Sequence, residues 1–482
     1  MLNLKIIINF IGVVLILNGL FMMLGIPFSI YYGDNDIVVL LGCGIGIALL
    51  GFFLVLLTRD HEKEISKREG YIVVSVTWII MALFGAIPFV IHGAIPSYTD
   101  AFFETMSGFT TTGASILDDI ESVPHGLLFW RSMTQWLGGM GVIVLSIAIL
   151  PMLGIGGMQL FVAEVPGPTK DKIHPRVRET AKRLWGIYLL FTIAEVSLLL
   201  IGGMNLFDSV NHALTTMATG GFSTKQASIA AYDSPFIHYV MIVFMFIAGT
   251  NFTLHYHLLH KNFSVVAKND EFKFYLKVIG IVVTVVVIGL LLADYAGIEK
   301  TFRDALFQVV SIVTTTGYVT SDYELWGPFF QVLFFLLLFT GGSAGSTGGG
   351  IKMVRHFLLI KNSMMELKRL IHPRAVIPVR FNKSTVPTDI ISNVLAFFLF
   401  YIFIFLIGTL VMSLIGMDFI SALGASATSI GNVGPGIGTV GPTSNFANVP
   451  DMGKWVLTFL MLLGRLELFT VLVIFSRAFW KK

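Results

Sequence analysis

A chain of 482 residues that is 55% hydrophobic and only 13% charged, with mean hydropathy +0.82, cannot present a water-soluble surface over most of its length. The net charge of +3 specifies no partner, and no nucleic-acid partner is expected. A single cysteine, Cys43, excludes an intramolecular disulfide framework and a thiolate metal cluster.

In chain order, apolar runs of about 20 residues, enough to cross roughly 30 Å of hydrocarbon, fall near 5–25, 36–58, 71–92, 127–153 and 183–203. Further runs fall near 236–259, 275–295, 326–358, 388–416 and 455–476. The first has one lysine, a core too long for a signal peptide and no small-residue cleavage site, so it reads as a retained helix. Lys and Arg crowd alternate loops (59–68, 170–183, 261–277, 352–383 and 477–482), whereas the other loops carry mostly acids such as Asp34, Asp118, Asp233 and Asp322. Because basic residues stay on the cytoplasmic side of short loops, ten crossings with both termini in the cytoplasm fit this alternation.

Four shorter segments lie between pairs of these runs, each ending in one motif. They are Thr110-Thr111-Thr112-Gly113, Ala218-Thr219-Gly220-Gly221, Thr314-Thr315-Thr316-Gly317 and, more loosely, Gly431-Asn432-Val433-Gly434. Asp100, Asp208 and Asp304 each precede their loop glycine by 13 residues, and Asp418 by 16. An acid at the start of a short helix satisfies free N–H groups and complements the dipole, so the opposite end aims partial negative charge at the loop. Segments too short to span are expected to be re-entrant. After each loop comes a helix with a small or polar interruption: Gly138-Gly139, Ala248 to Asn251, Gly341-Gly342-Ser343 and Gly464-Arg465.

The repeat defines the expected fold. It is an all-α integral membrane protein of ten transmembrane helices and four re-entrant pore loops. An N-terminal helix pair (1–69) precedes four helix–pore loop–helix units at 70–180, 181–270, 271–386 and 387–482, arranged with quasi-fourfold symmetry. A weaker echo joins Ile173-His174-Pro175-Arg176 to Ile371-His372-Pro373-Arg374; it is either proline ending a helix or a shared docking surface.

Rings of backbone carbonyls can replace the hydration shell of a potassium ion, and oxygen is the ligand that hard cations take. The carbonyls of Thr111, Thr112, Gly113, Thr219, Gly220, Gly221, Thr315, Thr316, Gly317, Asn432, Val433 and Gly434 are therefore the candidate potassium ligands. Close helix packing is the alternative use of such small residues, but one motif at four repeat-matched places favours a filter.

These motifs, with Gly341-Gly342-Ser343-Ala344-Gly345-Ser346-Thr347-Gly348-Gly349-Gly350 and Gly464-Arg465, resemble the membrane subunit of bacterial Trk/Ktr potassium uptake systems, in the Trk form with an extra N-terminal helix pair. The resemblance covers essentially the whole chain. It implies potassium as the transported ion, no organic cofactor, an intramembrane gate made by the third unit's broken second helix, a homodimer, and regulation by a cytosolic nucleotide-binding ring of the TrkA type. The Asn-Val-Gly of the fourth loop against the Thr-rich first makes the ring chemically unequal and its selectivity looser than that of a symmetric channel.

The glycine cluster from Gly341 to Gly350 is costly in a helix, about 1 kcal/mol per interior glycine, so an irregular loop crossing the pore is expected there. Arg465, mid-helix, must face protein or water, either in a structural ion pair or as a positive barrier beside the Gly-rich loop; Glu467 is on nearly the opposite side of the helix. Glu195 is either a proton relay or a buried structural acid. Glu104, His212 and Gln308, four residues after the repeated Asp, suit local hydrogen bonding. Lys361 to Lys383 suits a topology signal, contact with anionic lipid, or a docking surface for the regulatory ring.

A channel-like potassium uptake protein of the bacterial inner membrane is the leading reading, and a proton- or sodium-coupled potassium symporter the alternative. An intramembrane enzyme is disfavoured, since no Ser/His/Asp constellation, zinc motif or phosphate-binding glycine loop stands in the sequence.

Overall fold

The computed structural model describes residues 2–59, 66–144 and 177–481, and it is helical nearly throughout. Six helices among them are long and apolar enough to cross a membrane: Leu4–Tyr32, Ile37–Leu57, Lys67–His92, Glu179–Ile201, Asp270–Leu292 and Thr388–Leu414. Two further pairs, Pro235–Ala248 with Phe252–Leu259 and Asp451–Arg465 with Phe469–Phe475, are bent by 105° and 108°. Each bend falls at an expected interruption, at Gly249 to Asn251 and just after Gly464-Arg465. The chain is therefore a multi-pass membrane protein.

The first two helices pack through glycines spaced by seven. A Cβ on Gly12 would lie 2.7 Å from the Gly51 carbonyl oxygen, and one on Gly19 would lie 2.3 Å from that of Gly44. With lipid as apolar as leucine, such close backbone approach is what holds two membrane helices together. The third helix starts in a capping box, in which Ser66 accepts from Glu69 N while the Glu69 carboxylate accepts from Ser66 N at 2.8 Å.

Four short helices alternate with the long ones: Tyr98–Phe109, Leu206–Met217, Ile298–Val313 and Phe419–Gly431. Ser97, Asn205 and Asp418 cap the first, second and fourth, each accepting from the backbone N–H three residues on. Asp100 and Asp208 sit in their first turns as expected, and Asp418 is itself the cap. Asp304 departs from the pattern: its helix begins six residues earlier, at Ile298, with Glu299 in the first turn.

Two other expectations are corrected. Helix His125–Val144 runs unbroken through Gly138-Gly139. A Cβ there would meet the Phe109 carbonyl oxygen at 2.0 Å or Ala218 Cα at 2.8 Å, so these glycines serve close packing rather than a break. A two-residue antiparallel ladder, Arg380–Phe381 with Ser384–Thr385, departs from the expected all-α fold in the basic stretch. The segment from Ile173 to Arg176 lies outside the described residues, as does the first half of the loop 170–183; its counterpart, 371–374, is exposed.

Candidate functional site

Each short helix ends the same way. At the first, Thr111 N donates to Gly108 O (2.9 Å) and Thr112 N to Ser107 O (2.8 Å). The second and third repeat the pair from Thr219 and Gly220 to Thr216 and Thr215, and from Thr315 and Thr316 to Ile312 and Ser311, and the fourth from Asn432 and Val433 to Ser429 and Thr428. This is the double-bonded helix end that needs a left-handed residue just past the cap. Thr111, Thr219, Thr315 and Asn432 supply it, with φ of 50°, 53°, 62° and 51°.

Glycine or asparagine normally takes that position. A β-branched residue there costs about 1–2 kcal/mol, and three of the four are threonine. Strain repeated at matched places marks a conformation required for more than ending a helix. Two residues on, Gly113, Gly221, Gly317 and Gly434 again have positive φ, of 85°, 73°, 83° and 100°.

The loops meet in a ring that follows chain order. A Cβ on Gly113 would lie 2.1 Å from the Gly220 carbonyl oxygen, on Gly221 2.0 Å from that of Thr316, on Gly317 2.0 Å from that of Val433, and on Gly434 3.0 Å from that of Thr112. Every loop glycine thus faces a carbonyl of the next loop, and the fourth returns to the first. All four glycines line one depression. The structure brings the twelve candidate ligand residues together, with Thr111, Thr112, Thr219, Thr315, Thr316 and Asn432 wholly buried.

Side chains behind the loops brace them. Glu104 accepts from Ile116 N (2.8 Å) and Ser115 Oγ (2.9 Å), His212 Nε2 meets Ser223 Oγ (2.9 Å), and Gln308 Nε2 donates to Ser321 O (2.9 Å). All three therefore tie a short helix to the strand of chain that leaves its loop, as local hydrogen bonds rather than ion ligands. Sequence reasoning missed Arg131, which is buried, pairs with Glu104 at 2.6 Å, donates to Ser223 O at 2.9 Å and so joins the first two loops. It also missed Gln135, whose amide contacts the second loop. Their one signal was polarity within the apolar run 127–153. The seam between the fourth and first units is closed by Asn432 Nδ2 donating to Thr112 Oγ1 (2.9 Å) and by the Lys454–Asp100 pair (2.5 Å).

Under the ring, the chain leaves helix Pro328–Leu337 and re-enters helix Met353–Ile371, with the Gly-rich stretch between them irregular as expected. Gly349 N donates to Thr315 Oγ1 (2.6 Å) and Ser343 N to Gly249 O (2.8 Å), while Thr347 Oγ1 donates to Met217 O (3.0 Å). The Glu271 carboxylate accepts from Ala344 N (2.7 Å) and Val354 N (3.1 Å), tying the two legs together. Arg465 is buried beside this stretch, donating to Thr347 O (2.7 Å) and to Gly138 O (3.1 Å). Glu467 pairs instead with Arg355.

Glu195 is buried in a helix packed on the second short helix, with the Thr216 side chain as its polar neighbour. On the outer loops, burial raises the Glu324 carboxyl above its ordinary range against the opposing hydrogen bond from Gly438 N. Hydrogen bonds from Ser421 hold Asp418 below it.

A family model described as TrkH, cation transport protein, matches residues 44–482. The Trk system potassium uptake protein TrkH of Escherichia coli K12 is 43% identical over 88% of both chains. The protein of that name from Halomonas elongata is 38% identical over the full length of both. The crystal structure of the potassium transporter TrkH from Vibrio parahaemolyticus superposes with a TM-score of 0.92 at 37% identity, covering both chains completely.

Proposed function

We infer function from one premise: the chain belongs to the TrkH cation transport family. Its relatives are named as potassium uptake proteins, and we propose that this chain likewise takes up potassium. The ion loses water among the carbonyls of Thr111 to Gly113, Thr219 to Gly221, Thr315 to Gly317 and Asn432 to Gly434. It then passes the Gly-rich stretch, which acts as a gate held by Arg465. The observation that carries this reading is the closed ring in which each loop glycine faces a carbonyl of the next loop. Four helix C-termini aim partial negative charge at that ring, which favours a cation there.

In this reading the chain crosses the bacterial inner membrane ten times with both termini in the cytoplasm. The N-terminal pair and the four units act as five modules. Two chains form a homodimer with two independent pores. Helix Met353–Ile371 and the hairpin after it, with Lys361, Lys368, Arg369 and Lys383, offer a basic face to a TrkA-type ring. A coupled symporter is the second reading, favoured by the buried intramembrane acid Glu195.

Rubidium uptake into proteoliposomes, competed with potassium or sodium, tests the filter. Wild-type flux is expected to be blocked preferentially by potassium. In Gly317→Ser a side chain would stand 2.0 Å from the Val433 carbonyl oxygen, so the preference for potassium is expected to relax. Robust flux with unchanged preference would overturn the filter assignment. A reversal potential that moves with pH or sodium would favour the symporter.

A further inference from the structure

Loops one, three and four carry a side chain just before the loop glycine, at Thr112, Thr316 and Val433, whereas loop two carries Gly220. The backbone does not demand this glycine, because Gly220 has no positive φ. What demands it is Gln135, from helix His125–Val144 of the preceding unit. A Cβ on Gly220 would stand 2.3 Å from Cδ, 2.4 Å from Oε1 and 2.7 Å from Nε2 of that side chain, and no atom of any other residue lies as close. The amide fills the space that a threonine or valine side chain occupies in the other loops.

Gln135 is wholly buried and spans the loop glycine. Its Nε2 donates to the Gly220 carbonyl at 2.7 Å, and its Oε1 accepts from Phe222 N at 3.1 Å. A flipped amide would set donor against donor and acceptor against acceptor, so the two bonds fix its orientation. Gly220-Gly221 is the most flexible pair in the ring, because neither residue has a Cβ to limit its backbone. The same Gly220 carbonyl faces Gly113 of loop one. A shift in its direction is therefore felt on both sides of that contact.

We propose that Gln135 is a positioning residue for ion selectivity: its amide replaces the missing side chain of loop two and sets the direction of the Gly220 carbonyl. This rests on the filter reading above.

The test compares rubidium uptake and its competition by potassium and sodium in wild type, Gln135→Met, Gly220→Thr, the double variant Gln135→Ala/Gly220→Thr, and Gly317→Ser as filter control. Gln135→Met keeps the length and loses both hydrogen bonds, and the preference for potassium over sodium is expected to fall roughly three- to tenfold, the range for one ordinary hydrogen bond, while total uptake persists. Gly220→Thr alone clashes with Gln135 and is expected to abolish uptake. The double variant gives loop two the Thr-Thr-Gly of loops one and three, and uptake and preference are expected to return to within about threefold of wild type. If Gln135→Met does not reach the membrane, Gln135→Leu serves instead. It is apolar and close in volume, lacks both the donor for Gly220 O and the acceptor for Phe222 N, and is expected to lower the preference similarly.

Unchanged preference without the donor, or a double variant no better than Gly220→Thr, would overturn the inference while Gly317→Ser still relaxes selectivity. Unchanged preference in Gly317→Ser as well would overturn the filter reading itself.

Discussion

The ends of the four short helices are near copies of one another, and the helices that follow them are not; in the proposed orientation these are an outer and an inner level. At the outer level every short helix ends with the same two hydrogen bonds, the same left-handed residue and a glycine two positions on. At the inner level one second helix runs straight past Gly138-Gly139, two bend by 105° and 108°, and one opens into the irregular stretch from Gly341 to Gly350. In the proposed reading the ring surrounds one ion and needs the same geometry from each quarter, so departures there are costly. In the same reading the barrier needs only one element that can move, so one irregular stretch can be specialised for it while its neighbours supply fixed contacts such as Gly249 O and Arg465.

Substitutions that respect or violate this division sharpen it. The largest effect is expected at Gly221→Ala, whose Cβ would stand 2.0 Å from the Thr316 carbonyl oxygen in a left-handed backbone; rubidium uptake should fall by about a hundredfold or more, the scale of a 3 kcal/mol penalty. Gly434→Ala meets Thr112 O at 3.0 Å and should lose less. Equal losses at the two positions would show that backbone strain outweighs the contact.

Next comes the inner half. Arg465→Gln removes the charge and one of the two anchors to Thr347 O and Gly138 O. Uptake by the purified protein without partner is expected to rise about tenfold, the scale of one charged hydrogen bond, with selectivity unchanged. Altered selectivity with unaltered flux would place Arg465 in the wrong half of the comparison.

The smallest effect is expected at a helix start. Asp418→Ala removes the cap of the fourth short helix, at a cost of about 1 kcal/mol read as a lower thermal midpoint in detergent. Because Ser421 holds the Asp418 carboxyl below its unfolded value, its contribution is present above about pH 4 and fades as pH falls through the folded-state value. The gap between wild type and Asp418→Asn should close on acidification, and a gap that widens would contradict the cap.

Much of the outer half was legible in the sequence, because the repeat of Asp and Gly at 13 residues reports local geometry. Six of the ten apolar runs match single long helices and two match bent pairs, whereas 326–358 gives only the short helix Pro328–Leu337 before the irregular stretch. Two glycine readings diverged for one physical reason: glycine marks either a backbone that must bend or a neighbour that must come close, and sequence does not say which. Gly341 to Gly350 proved both kinds at once, bent at Gly345 and Gly350 and closely approached at Gly341 and Gly349, whereas Gly138-Gly139 proved only the second. Asp304 misled because its helix starts at Ile298, a turn and a half earlier. Arg131 and Gln135 stayed hidden because their partners, Ser223 and Gly220, lie 92 and 85 residues away, beyond any local pattern.

The order of the ring has a consequence for how the protein is made. Contacts run from the first loop to the fourth and then back, and the returning seam is formed by Gly434, Asn432 and Lys454 against Thr112 and Asp100. A ribosome delivers the fourth loop after the other three have been made. A nascent or prematurely terminated chain therefore holds three loops and no circle. In the proposed reading, the membrane is spared a complete ion path until the fourth loop is in place.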